Sequence, residues 1–203
     1  ALHANGRLND AIKSYKTALS LKPDFIEALA NLGNVFQDQG ALPKAIESYR
    51  AVIALDPTLA EGHNNLATAL QAQGKLSDAV RSYERAIELR PNYVEAHSNL
   101  GTVLTTLGNK AAATMRYRLA ISIDSQYTDA HSNLGSLLQM NGELDAAHAS
   151  FTKALSLTPG GAVAHRMHRR HRRAGTAGRC RRDRRTPGTC RHGRHALRRG
   201  GRG

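Results

Sequence analysis

The sequence predicts an all-α fold: a superhelical solenoid of antiparallel helix pairs, followed by a disordered C-terminal tail. Three observations predict it. A 34-residue pattern runs in unbroken register up to about residue 160. Apolar positions in each copy recur at three- and four-residue steps, the spacing of one helix face. Past residue 165 large apolar residues almost vanish. A unit that buries its apolar face only against its neighbours stacks into a solenoid, and a solenoid offers a long groove to a partner.

Residues 1–25 read as a partial unit, the end of a first helix and a whole second one. Full units follow at 26–59, 60–93, 94–127 and 128–161, which places the array at 1–165 and the tail at 166–203. Ala11, Ala45, Ala79, Ala113 and Ala147 are successive steps of 34, as are Tyr15, Tyr49, Tyr83, Tyr117 and Phe151. Each alanine and its aromatic partner share one face of a second helix. Leu32, Leu66, Leu100 and Leu134 are each followed by Gly33, Ala67, Gly101 or Gly135. A small residue there lets a second helix approach closely. Gly40, Gly74, Gly108 and Gly142 suit the left-handed position that ends a first helix. Pro23, Pro57 and Pro91 stop the second helices, with Ser125 in the fourth place.

In the unit 60–93 the first helix is expected from Ala60 to about Ala72 and the second from Ser77 to about Leu89. Asn9, Ser77 and Asp145 read as N-caps of second helices and Pro43 as a first-turn residue. Ala111 is a poor cap, so its helix is expected to start least sharply. Lys44, Glu47, Arg81, Glu84 and Glu88 belong to outer, solvated faces.

The net charge of +13 comes from 29 basic and 16 acidic side chains, and it is unevenly placed. Residues 166–203 hold 15 arginines, no lysine and one aspartate, whereas the rest carries 14 basic and 15 acidic groups. The array is thus nearly neutral, and nothing about it asks for a polyanion. Aromatics make up only 4 %, as in a helical array packed by alanine and leucine rather than a base-stacking surface. No apolar run reaches the roughly 20 residues of a membrane span, so no membrane association is expected. The array has no cysteine, which fits a reducing compartment, the cytoplasm with or without the nucleus. The chain opens with alanine inside a truncated unit, so it reads as a fragment of something longer.

Two readings of the tail stay open. Residues 162–165 still open a sixth unit, and Arg-Met-His-Arg-Arg-His then replaces the expected Ser-Asn-Leu-Gly. An arginine-rich arm would neutralise the phosphates of nucleic acid. An out-of-frame translation of G/C-rich DNA would look the same, and nucleic acid is a partner only if the segment is genuine. Cys180, Cys190, His192 and His195 lack the close cysteine pair of a zinc site, so no metal is expected. An uncapped array end is expected to fray or self-associate.

One further ladder is not demanded by helix packing. Asn31, Asn65, Asn99 and Asn133 fall at the sixth position of each full unit. Glu27, Glu61, Glu95 and Asp129 lie four residues earlier, and Asn34, Thr68, Thr102 and Ser136 three residues later, on the same stripe. A carboxamide offers an acceptor and two donors, matching the peptide group. Asparagine costs roughly 0.5 kcal/mol against alanine inside a helix, so four in register imply a purpose. Two purposes stay open: holding an extended peptide by its backbone, or bonding between adjacent units. The carboxylates also favour a first helical turn. His63, His97 and His131 form a column of partly buried packing residues, too widely spaced for shared catalysis.

These positions together resemble the tetratricopeptide pattern, L-G-x2-Y…A-x3-F…P. Its usual tryptophan is replaced by Leu29, His63, His97 and His131. Ala-His-Ser-Asn-Leu-Gly, at 96–101 and 130–135, further resembles the repeat array of O-linked N-acetylglucosamine transferase. That resemblance implies an inner asparagine ladder that holds protein substrates, with the chemistry in a separate glycosyltransferase domain. No catalytic residue carries over. The expected function is therefore recognition of proteins or extended peptides through Asn31, Asn65, Asn99, Asn133, Asn34, Thr68, Thr102 and Ser136. No cofactor and no enzymatic activity of this chain are expected. A general adaptor in multiprotein assembly and a nucleic-acid binder acting through its tail are the alternatives.

Overall fold

The computed structural model describes residues 7–158, which form helices and no strand. In chain order they are α1 (Leu8–Leu21), α2 (Ile26–Asp38), α3 (Leu42–Leu55), α4 (Ala60–Ala72), α5 (Leu76–Leu89), α6 (Val94–Thr106), α7 (Lys110–Ile123), α8 (Thr128–Met140) and α9 (Leu144–Leu157). Each first helix packs most closely on the second helix of its own unit, α4 on α5 and α6 on α7 for example. Each second helix then meets the next first helix, as α3 meets α4. That chain of neighbours is a solenoid.

The turns follow the repeat chemistry. Gly40, Gly74, Gly108 and Gly142 take φ between 71° and 83°. Ala41 N–H then bonds Phe36 C=O at 2.8 Å and Gly40 N–H bonds Gln37 C=O at 2.9 Å, the double closure of a glycine-ended helix. The same pair recurs at Lys75→Leu70 and Gly74→Gln71.

The starts of the second helices correct the sequence reading. Asn9, Ser77 and Asp145 are not caps; each lies one residue inside its helix, and the caps are Arg7, Lys75 and Glu143, none with a side-chain bond. The start near Ala111 is not the least sharp. Asn109 caps α7, and its side chain accepts from Ala112 N–H at 3.3 Å. The glycine-ended turn places the cap directly after Gly108, two residues earlier than apolar periodicity alone indicates.

The core is a column of rings and small residues. Tyr49, Tyr83, Tyr117 and Phe151 are fully buried beside the alanines Ala45, Ala79, Ala113 and Ala147. A β-carbon on Gly33, Gly101 or Gly135 would meet the ring of Tyr49, Tyr117 or Phe151 at 2.6–2.7 Å. The close approach expected of the Leu-Gly pair is therefore set by a ring lying on bare backbone. Leu104 packs on both the N-terminal and C-terminal parts of this core and joins them. The segment 166–203, with Cys180, Cys190, His192 and His195, lies outside the described residues.

Candidate functional site

The first helices form the inner wall of the array. Neighbouring first helices touch one another, α4 with α6 and α6 with α8, while no pair of second helices does so comparably. The side where like helices converge is the hollow side. Asn133 on α8 reaches across it, its Nδ2 donating to Thr102 Oγ1 on α6 at 3.5 Å. On α8 the stripe that carries Asn133 therefore faces the groove between units.

Asn31 is exposed, and Asn65, Asn99 and Asn133 are half-buried. Asn65 Oδ1 accepts from Asn64 Nδ2 at 3.5 Å, at the long limit of a hydrogen bond. The carboxamides of Asn31 and Asn99 have no hydrogen-bond partner among the described residues. Of the two purposes read from the sequence, bonding between units is present only at Asn133, and weakly.

The second row behaves differently. Tyr49 OH donates to Asn34 Oδ1 at 2.7 Å. Tyr83 OH and Thr68 Oγ1 are 3.0 Å apart, and Tyr117 OH donates to Thr102 Oγ1 at 3.2 Å. Thr68, Thr102 and Ser136 also donate to the carbonyls of Asn64, Ser98 and Ser132. Tyr83 OH donates its one hydrogen to Gln71 Oε1 at 3.0 Å. Burial pushes the Tyr83 phenol up to about 12, against the opposing effect of the Thr68 bond. It therefore stays protonated and able to donate. Asn34, Thr68 and Thr102 thus brace the buried tyrosines. The sequence reading missed this, although the signal was present: a polar residue stands 15 positions before each of Tyr49, Tyr83 and Tyr117.

The histidine column has a second unforeseen role. Nε2 of His63, His97 and His131 lies 3.1, 2.9 and 3.1 Å from the carbonyls of Pro57, Pro91 and Ser125. Each ring pins the turn that enters its unit. Burial, with a smaller push from Arg116, lowers the His97 pKa despite the Pro91 bond. The neutral ring with Nε2–H then donates to the Pro91 carbonyl.

The carboxylate edge adds charge to the wall. Glu27, Glu95 and Asp129 are exposed, and Glu61 pairs with Arg90. The Arg90 guanidinium also lies over the Tyr93 ring, 4.8 Å from its centroid. No group of three or more metal-ligating side chains is found among the described residues. No described helix is long and apolar enough to cross a membrane.

Family models carry the same repeat along the whole of the described residues. A model described as TPR repeat matches residues 1–40, 38–74 and 68–108, and one described as Tetratricopeptide repeat matches 94–127 and 128–160. No curated protein matches the chain. Among solved structures it is similar to MamA, with 31 % identity and a TM-score of 0.68 over 77 % of this chain and 91 % of that one. It is similar to TTC0263, a thermophilic TPR protein of Thermus thermophilus, with 25 % identity and a TM-score of 0.72 over 84 % and 93 %. The fold is also that of YrrB, a TPR protein with an unusual peptide-binding site, at 22 % identity and a TM-score of 0.63 over 81 % and 85 %.

Proposed function

The chain belongs to the tetratricopeptide repeat family, and we propose that its array, residues 1–165, is a scaffold that holds an extended segment of another protein along its inner wall. One observation carries the reading. Asn31, Asn65, Asn99 and Asn133 stand in register on that wall, and the fold uses little of their hydrogen-bonding capacity. Carboxamides repeated at a constant step suit the peptide group, which repeats along a guest chain regardless of its side chains. YrrB, a neighbour in fold, has a peptide-binding site, which agrees with this use of the architecture.

The test is capture of fluorescent extended peptides by the full chain and by the variant with all four asparagines changed to alanine. Each hydrogen bond lost is worth about 0.5–1.5 kcal/mol, so affinity falls by at least about tenfold. Helicity, read by circular dichroism, does not change. Undiminished affinity in the variant would refute the ladder.

The narrower reading is that this is the substrate-recruiting segment of a protein O-linked N-acetylglucosamine transferase. Ala-His-Ser-Asn-Leu-Gly at 96–101 and 130–135 supports it. The chain itself then transfers no sugar from a sugar nucleotide to a peptide, whereas a fusion to such a catalytic domain glycosylates peptides the array captures. A second reading, nucleic-acid capture, is favoured by the 15 arginines of 166–203. Removing that segment would abolish RNA binding if it holds and leave peptide capture intact.

A further inference from the structure

The position three residues before each first-helix cap tells a story along the chain. In one unit junction it is Lys22, whose Nζ lies 5.4 Å from the centroid of Phe25. Two repeats later it is Arg90, whose guanidinium lies over Tyr93 and pairs with Glu61. Both are cations on aromatic faces within the range of a cation–π contact. At the junction between them the position is Asp56, and the aromatic is lost as well, replaced by Leu59.

The fourth junction breaks this coupling. Asp124 replaces the cation, yet the ring is retained as Tyr127. Asp124 turns back into its own loop, where Oδ1 accepts from Gln126 N–H at 2.8 Å. The carboxylates are retained too. Tyr93 feels Glu61 and Glu95, and Tyr127 feels Asp129 and Glu95, the same set displaced by one repeat. Burial first, then these charges, raise the Tyr127 phenol to about 12, so the ring stays neutral. Among the described residues no cation pairs with Glu95 or Asp129. The unit 94–127 therefore repeats the surroundings of Arg90 without the guanidinium.

We propose that Tyr127, flanked by Glu95 and Asp129, is the receptor for one arginine side chain of a peptide lying in the groove. The guest guanidinium takes at Tyr127 the place Arg90 holds at Tyr93. A planar guanidinium suits this better than an ammonium, because it stacks on a ring and bonds a carboxylate through the same group. Glu95 and Asp129 stand to Tyr127, in the repeat register, as Glu61 and Glu95 stand to Tyr93. The assignment rests on the groove reading above, and it adds a side-chain preference to a site that otherwise reads only backbone.

Two measurements on the full chain test it. In the first, neutral Ser/Ala/Val peptides carrying one arginine are compared with twins carrying citrulline, which keeps the shape and loses the charge. The arginine peptides bind about fivefold more tightly, and in the D124R variant, which supplies its own cation as Lys22 and Arg90 do, the two sets bind alike. In the second, ethylguanidinium and its neutral analogue ethylurea are titrated while the Tyr127 ring resonances are followed. The ring responds saturably to ethylguanidinium only, and D124R abolishes the response. Equal binding of the twins by the parent chain, or a Tyr127 ring indifferent to ethylguanidinium, overturns the assignment. The same holds if arginines of 166–203 already fill the place, since the ring is then indifferent. Failure to capture either peptide with the Tyr127 response intact counts against the groove and upholds the receptor.

Discussion

Asn99 and Thr102 lie one turn apart on the same stripe of α6, and they end in different surroundings. Thr102 Oγ1 donates to Ser98 C=O, accepts from Tyr117 OH, and lies within reach of Asn133. Asn99 meets no hydrogen-bonding partner among the described residues. The contrast holds along the array, where Asn34 and Thr68 serve Tyr49 and Tyr83 while Asn31 serves no described residue. Similar polarity on one stripe thus hides two jobs. What separates them is the hydroxyl of an aromatic 15 residues on, which claims the second row for the core. A polar residue on an inner wall is evidence of binding only after the fold's own claims on it have been subtracted.

Substitutions in the brace should damage stability, and substitutions in the free row should not. The largest effect is expected from Tyr83→Ala. The ring is fully buried, so its loss costs about 3–5 kcal/mol. The urea midpoint of unfolding should fall steeply, and an unshifted midpoint would mean the ring column is not the core. Gly101→Val comes next. Its β-carbon would meet Tyr117 Cε1 at 2.7 Å, and although Ala67 holds the matching place with one methyl, two more should cost about 1–3 kcal/mol of stability in the same assay. Tyr83→Phe removes only the hydroxyl held by Thr68 and Gln71, for about 1 kcal/mol. Phe151 occupies the equivalent position, so the variant should fold.

The smallest effect concerns pH. Burial lowers the folded-state pKa of His97 below the ordinary 6.5. As pH falls past 6.5 the unfolded chain takes up the proton first, so this contribution is present above 6.5 and fades below it. Stability measured from pH 7 to pH 5 should decline less in His97→Leu than in the parent chain. Leu29 already stands at the equivalent position in the unit 26–59, which keeps the substitution compatible with the fold.

Much of this architecture was legible because the repeat states it several times over. Gly40, Gly74, Gly108 and Gly142 announced their left-handed turns, and Gly33, Gly101 and Gly135 a close helix approach, though not the ring that makes it. Helix starts were less legible. Ser77 and Asp145 are good caps by type, but the two-bond closures at Gly74 and Gly142 fix where the next helix begins, and that overrides cap preference. The brace escaped notice because it joins residues on different helices, such as Thr68 and Tyr83, whose pairing follows from packing and not from either helix alone. Arg90 escaped for the same reason. Its partner Glu61 lies 29 residues before it, on another helix, and only Tyr93, three residues on, is a neighbour in sequence.

The claim that the two rows divide the labour is tested most directly by Asn99→Ala and Thr102→Val measured side by side, each for melting temperature and for affinity toward an extended peptide. The account predicts that Asn99→Ala loosens peptide capture and leaves the melting temperature in place, while Thr102→Val lowers the melting temperature and leaves capture in place once folded. The reverse pattern, or two variants that move both quantities equally, would contradict it.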